Sequence, residues 1–85
     1  MDRKDEELRI ENTVSFKDKE ILETALDGIY GWNFNPIAVI TDGEQEYYFI
    51  CKVKTIIKSV QMTMAKIYVK IQKNKPRLLA IEEIQ

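Results

Sequence analysis

Residues 47–73 read YYFICKVKTIIKSVQMTMAKIYVKIQK, and the way this stretch folds decides the architecture. It holds six lysines and no Asp or Glu. Tyr47, Phe49, Cys51 and Val53 alternate with Tyr48, Ile50, Lys52 and Lys54. Ala65, Ile67, Val69 and Ile71 alternate with Lys66, Tyr68, Lys70 and Gln72. A period of two with one apolar and one polar set is the mark of a strand buried on one side. A competing pattern runs through the same residues. Val53, Ile57, Val60, Met64, Ile67 and Ile71 form a heptad stripe, which would make Val53–Lys73 one helix. The heavy load of β-branched residues, including Val53, Thr55, Ile56, Ile57, Val60 and Thr63, weighs against a helix. Two strands are therefore expected, with a turn near Lys58-Ser59 that no Gly or Pro marks.

Before this stretch the clearest feature is a helix over Ser15–Gly28. Ser15 can cap it and Asp18 can reach back to close a capping box. Leu22, Ala25, Leu26 and Ile29 fall on one face, with Ile21 at its edge, while Lys17, Glu20, Glu23 and Asp27 lie off it. Gly28 supplies a stop. Tyr30–Pro36 reads as a turn-rich connector, and Trp32 and Phe34 are expected to close one end of the core. Ile37–Thr41 is a strand, Asp42-Gly43 a type I′ hairpin signal, and Gln45–Ile57 the returning strand. Lys73–Pro76 is a turn and Arg77–Ile84 a last strand, whose start tolerates the proline. Leu8–Val14 offers a short edge strand. Residues 1–7 read as a charged tail and 8–85 as a single domain. The fold class is α+β: one helix on a curled four-stranded antiparallel meander, with a short N-terminal strand as an optional addition.

The order of elements, and two segments in detail, resemble the cystatin/monellin fold. Residues 37–53, IAVITDGEQEYYFICKV, run strand, tight turn, then a Tyr-rich strand ending in alternating Lys and Val, as cystatins do. KIYVKI at 66–71 followed by LLAI at 78–81 is similar to their last hairpin. The resemblance spans Ser15–Ile84 and implies a sheet gripping one helix. Cystatins inhibit papain-like proteases through a Gln-x-Val-x-Gly hairpin, a glycine-bearing N-terminus and a second apolar hairpin. Here the first hairpin has Asp42 in its tip, no Gly precedes Gly28, and the last hairpin tip is Gln72–Pro76, polar and basic. The inhibitory motifs are absent.

Charge is divided along the chain. Residues 1–46 carry 12 acids and 5 bases, and residues 47–85 carry 8 bases and 2 acids, within a total of −1 over 85 residues. An acidic helix packing near a basic sheet would account for the division, and so would a basic face that attracts an acidic partner. The chain has one cysteine and no apolar run near the ~20 residues of a membrane span, which points to a cytoplasmic protein without membrane contact. It has no histidine, so neither a Ser-His nor a Cys-His nucleophile can be built, and the usual structural zinc sites are out of reach. Asp42, Glu44 and Glu46 flank one turn, where a solvated hairpin tip is the stronger reading than a calcium site. An enzyme is not expected, and no cofactor is called for.

What remains is the outer side of the meander. Tyr48, Lys52, Lys54, Lys66, Tyr68 and Lys70 are expected there together. The expected role is a non-catalytic binding module contacting another protein, such as an inhibitor or accessory factor, or a second copy of itself in a homodimer. The alternative is single-stranded nucleic acid, with lysines for the backbone and rings for the bases.

Overall fold

The computed structural model describes residues 9–11, 14–55 and 63–84. The elements are β1 (Arg9–Glu11), α1 (Phe16–Ala25), β2 (Trp32–Thr41), β3 (Glu46–Thr55), β4 (Met64–Gln72) and β5 (Lys75–Glu83). The five strands form one antiparallel sheet in the order β1-β2-β3-β4-β5, and the helix packs on one of its faces. Strands at Val53–Thr55 and Met64–Gln72 exclude a helix running through 53–73. The expected turn at Lys58-Ser59 lies outside the described residues.

The helix starts where its sequence directs. The Ser15 hydroxyl accepts the Asp18 N–H at 3.1 Å, and the Asp18 carboxylate accepts the Ser15 N–H at 3.3 Å. Two otherwise unpaired donors of the first turn are thereby satisfied. The helix stops at Ala25, earlier than Gly28. Ile29, expected on the buried stripe, is therefore past the last turn and 38% exposed. Leu22 is fully buried, with Ile21, Ala25 and Leu26 packed around it.

The inner face of the sheet meets that stripe. Val39 from β2, Tyr47, Phe49 and Cys51 from β3, and Ile67 and Val69 from β4 form the buried cluster with Leu22. Phe34, Ile71, Leu78 and Ile81 close its margins. Register explains the set: Phe49 lies opposite both Val39 and Ile67, and Tyr47 opposite Thr41 and Val69. Facing apolar pairs on neighbouring strands are the stabilising unit of a sheet. Phe49, with nothing exposed, stands at the centre.

Two further features differ from the sequence reading. First, β2 begins at Trp32, so most of the expected connector is strand. Pro36 sits inside it, beside a bulge between Pro36 and Ala38, and among the described residues β1 pairs only with Val39–Thr41, so no described strand faces Pro36 on that edge. An open edge or a bulge is where a strand can lack a donor. The bulge also changes the phase. Phe34 and Pro36 lie opposite Val53 and Cys51 on the inner side, whereas Val39 and Thr41 take that side after it.

Second, Asp42-Gly43 does not form a two-residue turn. The loop spans 42–45, and Gly43 alone in it has a left-handed φ, of 80°. Asp42 Oδ1 accepts the N–H groups of Glu44, Gln45 and Glu46 at 2.8, 2.9 and 3.1 Å, and Thr41 Oγ1 accepts that of Gly43. Those bonds make the longer loop the better solution for this side chain. The tight two-residue turn is instead Lys73-Asn74, both left-handed at φ 52° and 66°, as a type I′ hairpin needs.

Candidate functional site

The six residues singled out from the sequence all lie on the face of the sheet away from α1. Along β3, Tyr48, Ile50, Lys52 and Lys54 alternate with the buried set. Lys66, Tyr68 and Lys70 do the same along β4. The structure divides them into two groups. Tyr48 stands directly opposite Tyr68, with Lys66 and Lys70 one step to either side along β4. Lys54 and Lys52 lie further along β3, opposite Asn33 and Asn35 of β2, and these four line a shallow hollow of about 430 Å³.

The tyrosine pair is ordered by its own contacts. The rings stack with centroids 4.5 Å apart and planes 10° from parallel. Both hydroxyls reach one carboxylate oxygen, Glu46 Oε1, with Tyr68 donating at 3.2 Å and Tyr48 at 3.4 Å. Glu46 holds this place because it opens β3 and sits two residues before Tyr48 on the same side. Tyr68 has its ionisation pushed up to about 12. The neighbouring Tyr48 hydroxyl is the main cause, followed by slight desolvation and by the bond and the charge of Glu46. A phenolate there would face a carboxylate across a shared hydrogen bond.

Around the tyrosines the surface is apolar and then basic. Ile40 lies opposite Tyr48 and Ala80 opposite Tyr68, so one row crosses four strands as Ile40, Tyr48, Tyr68, Ala80. The next row is Ala38, Ile50, Lys66, Glu82. Lys66 Nζ bridges to Glu82 Oε1 at 3.5 Å and lies 6.0 Å from the Tyr48 ring centre. Two residues missed from sequence extend the apolar part. Ile37 is 39% and Leu79 46% exposed. Each is the extra residue of a bulge, one on β2 between Pro36 and Ala38, the other on β5 where Tyr68↔Ala80 passes to Val69↔Leu78. The run Leu78-Leu79-Ala80-Ile81, four apolar residues in one strand, breaks the alternation and was the available signal.

Lys52, Lys54, Lys66 and Lys70 do not meet the helix. They lie on the opposite face, and Lys66–Glu82 is the salt bridge among the described residues. Among the described residues, then, no ion pair links the acidic helix to the basic sheet. Among the described residues no group of three or more His, Cys, Asp or Glu side chains converges as a metal site. Asp42 turns its carboxylate onto the loop amides, whereas Glu46 holds the tyrosines. Cys51 is buried and its thiol is pushed up to about 12 by that burial. Among the described residues no helix is long and apolar enough to cross a membrane. Comparison with protein-family models, with curated proteins and with solved structures finds no match.

Proposed function

We propose that the chain is a non-catalytic binding module whose uncovered sheet face docks another protein. The observation that carries this is the stacked Tyr48–Tyr68 pair, fixed by Glu46 and set among Ile37, Ile40, Ile50 and Leu79. Protein interfaces combine a rigid aromatic and aliphatic centre with a polar rim, and Tyr is among their commonest anchors. Here the rim is Lys52, Lys54 and Lys70, which selects a partner with acidic groups around an apolar centre. Such a role suits the cytoplasm, because a buried free thiol and the lack of any disulfide fit a reducing compartment. The order strand, helix, four-strand meander supports a cystatin-like reading of the fold, in a member lacking the inhibitory hairpin.

Single-stranded nucleic acid is the weaker reading on three observations. The tyrosine rings stack on each other and so offer fewer free faces to bases. Glu46 sits between their hydroxyls, and Glu82 neutralises Lys66. A phosphate backbone would be repelled by both acids.

The test compares the wild-type chain with two variants as bait in quantitative capture from cell extract. Tyr48→Ala/Tyr68→Ala removes the centre and Lys52→Glu/Lys54→Glu/Lys70→Glu reverses the rim. Loss of the same captured protein in both supports the reading, and capture unchanged by either counts against it. Salt-sensitive binding of an oligonucleotide by the wild type, abolished in the lysine variant, would favour nucleic acid instead.

A further inference from the structure

Strand β5 is the last of the sheet, and among the described residues nothing pairs with its outer edge. An open edge presents unpaired amides to any strand that fits them. What fits here can be read from the strand itself. Arg77 and Glu82 lie opposite Lys70 and Lys66 on the outer face. Leu78 and Ile81 pack towards the core. The bulge adds Leu79 beside Ala80, so two successive residues lie on the outer face. From 77 to 82 the faces therefore run outer, inner, outer, outer, inner, outer.

That order is the same in both directions. A second copy of β5, antiparallel and related by a two-fold axis between Leu79 and Ala80, meets the first with every pair on a common face. Arg77 falls opposite Glu82 of the second copy, Leu78 opposite Ile81, and Leu79 opposite Ala80. A regular strand cannot do this about a peptide bond, because residues equidistant from the bond then lie on opposite faces. The bulge makes the match possible.

The chemistry matches as well as the geometry. Arg77 lies beside Lys70, a like charge, and among the described residues no acid partners it. Among the described residues Glu82 pairs with Lys66 alone. Pairing of two copies gives each Arg77 a carboxylate and places Leu78 against Ile81 where each sheet edge is otherwise open. Pro76, with no N–H to offer, comes just outside this segment, opposite Glu83 of the second copy, where the pairing ends.

We infer that the chain forms a two-fold dimer through β5, joining two sheets of five strands edge to edge. This uses the edge of the sheet and leaves the face around Tyr48 and Tyr68 open on both copies; Leu79 is shared with the surface proposed above, whereas Arg77 and Glu82 are not, so the charge reversals test the dimer separately from that function. Self-complementary patches are what a closed two-fold assembly requires. Pairing of β5 with the open part of β2 would instead leave free edges at both ends and grow without limit.

The experiment is sedimentation velocity on the full chain from micromolar to millimolar concentration. A dimer is expected. Arg77→Glu and Glu82→Arg should each weaken it about tenfold, since each change acts twice across the axis, while the double variant Arg77→Glu/Glu82→Arg should return to within about threefold of wild type. Leu79→Lys places two ammonium groups beside the axis and should leave only monomer, with circular dichroism showing the fold retained. A monomer at millimolar concentration overturns the inference. So does growth beyond the dimer, or a dimer indifferent to both Leu79→Lys and the charge reversals.

Discussion

The two faces of the sheet are built from the same strands and obey opposite rules. On the inner face Tyr47, Phe49, Cys51 and Val53 are buried beneath α1 or at its margin, and their neighbours are apolar except for Thr41, which lies opposite Tyr47. On the outer face Tyr48, Ile50, Lys52 and Lys54 have no covering element among the described residues. Tyr47 and Tyr48 show the difference within one dipeptide. Tyr47 is 3% exposed and lies along Phe49, its ring centroid 6.0 Å away, a hydrophobic body in a core. Tyr48 is stacked with Tyr68 and tied through its hydroxyl to Glu46. One face is ordered by exclusion of water, the other by directional contacts that persist in water. Side chains held in this way have little freedom left to lose, which would lower the cost of the docking proposed above.

Chemical access should separate the faces most strongly. The native Cys51 thiol should react with a thiol reagent only through opening of the fold, whereas a thiol at the next position, in Lys52→Cys, should react as a free one. The two rates should differ by a factor on the order of 10³ or more near neutral pH. Rapid labelling of wild-type Cys51 would remove the distinction. Stability should follow. Phe49→Ala should cost about 3–5 kcal/mol in urea unfolding and its neighbour Ile50→Ala less than about 1.5 kcal/mol. Equal losses would mean the outer face is covered in solution, which sedimentation of the same samples would reveal.

Alkaline pH gives a smaller effect. Tyr68 is pushed from 10.0 up to about 12 by the neighbouring Tyr48 hydroxyl, slight desolvation and its bond to Glu46, and Tyr47 is raised by burial. Both groups hold their protons more tightly folded than unfolded. Their contribution is complete below pH 10 and declines as pH rises from there through their folded-state values. Glu46→Gln should bring the Tyr68 transition down, followed by phenolate absorbance near 295 nm. An unmoved transition would show that the carboxylate does not hold the pair. The smallest effect is expected at Lys54, where Lys54→Glu should leave the melting temperature unchanged within error. A clear loss would mean that this lysine serves the fold rather than the surface.

How much of this could be read from the chain depended on the range of the interactions. The helix start was legible because Ser15 and Asp18 act on their own backbone three residues away. The inner and outer sets of β3 and β4 were legible because a strand's alternation survives in the sequence. The two bulges were not, since a bulge is defined by what stands opposite. Gly31, Asn33 and Pro36 also concealed the first half of β2, because together they read as a turn-rich connector. The cost fell on the candidate surface: Ile37 and Leu79, its two most exposed aliphatic members among the described residues, are bulge residues. Glu46 was passed over for a related reason. In sequence it is one of three acids around a turn, and only the pairing of β3 with β4 brings Tyr68 within its reach.

The chain's one tryptophan gives the molecule two separate optical signals. Trp32 opens β2, stacked along Phe34 at 6.3 Å and opposite Thr55, at the far end of the sheet from the Tyr48–Tyr68 pair. Indole emission therefore reports on fraying of that end and stays silent when something settles on the centre of the outer face. The tyrosine ultraviolet bands respond to the reverse. Recording both in one titration distinguishes a ligand that docks from one that unravels the sheet.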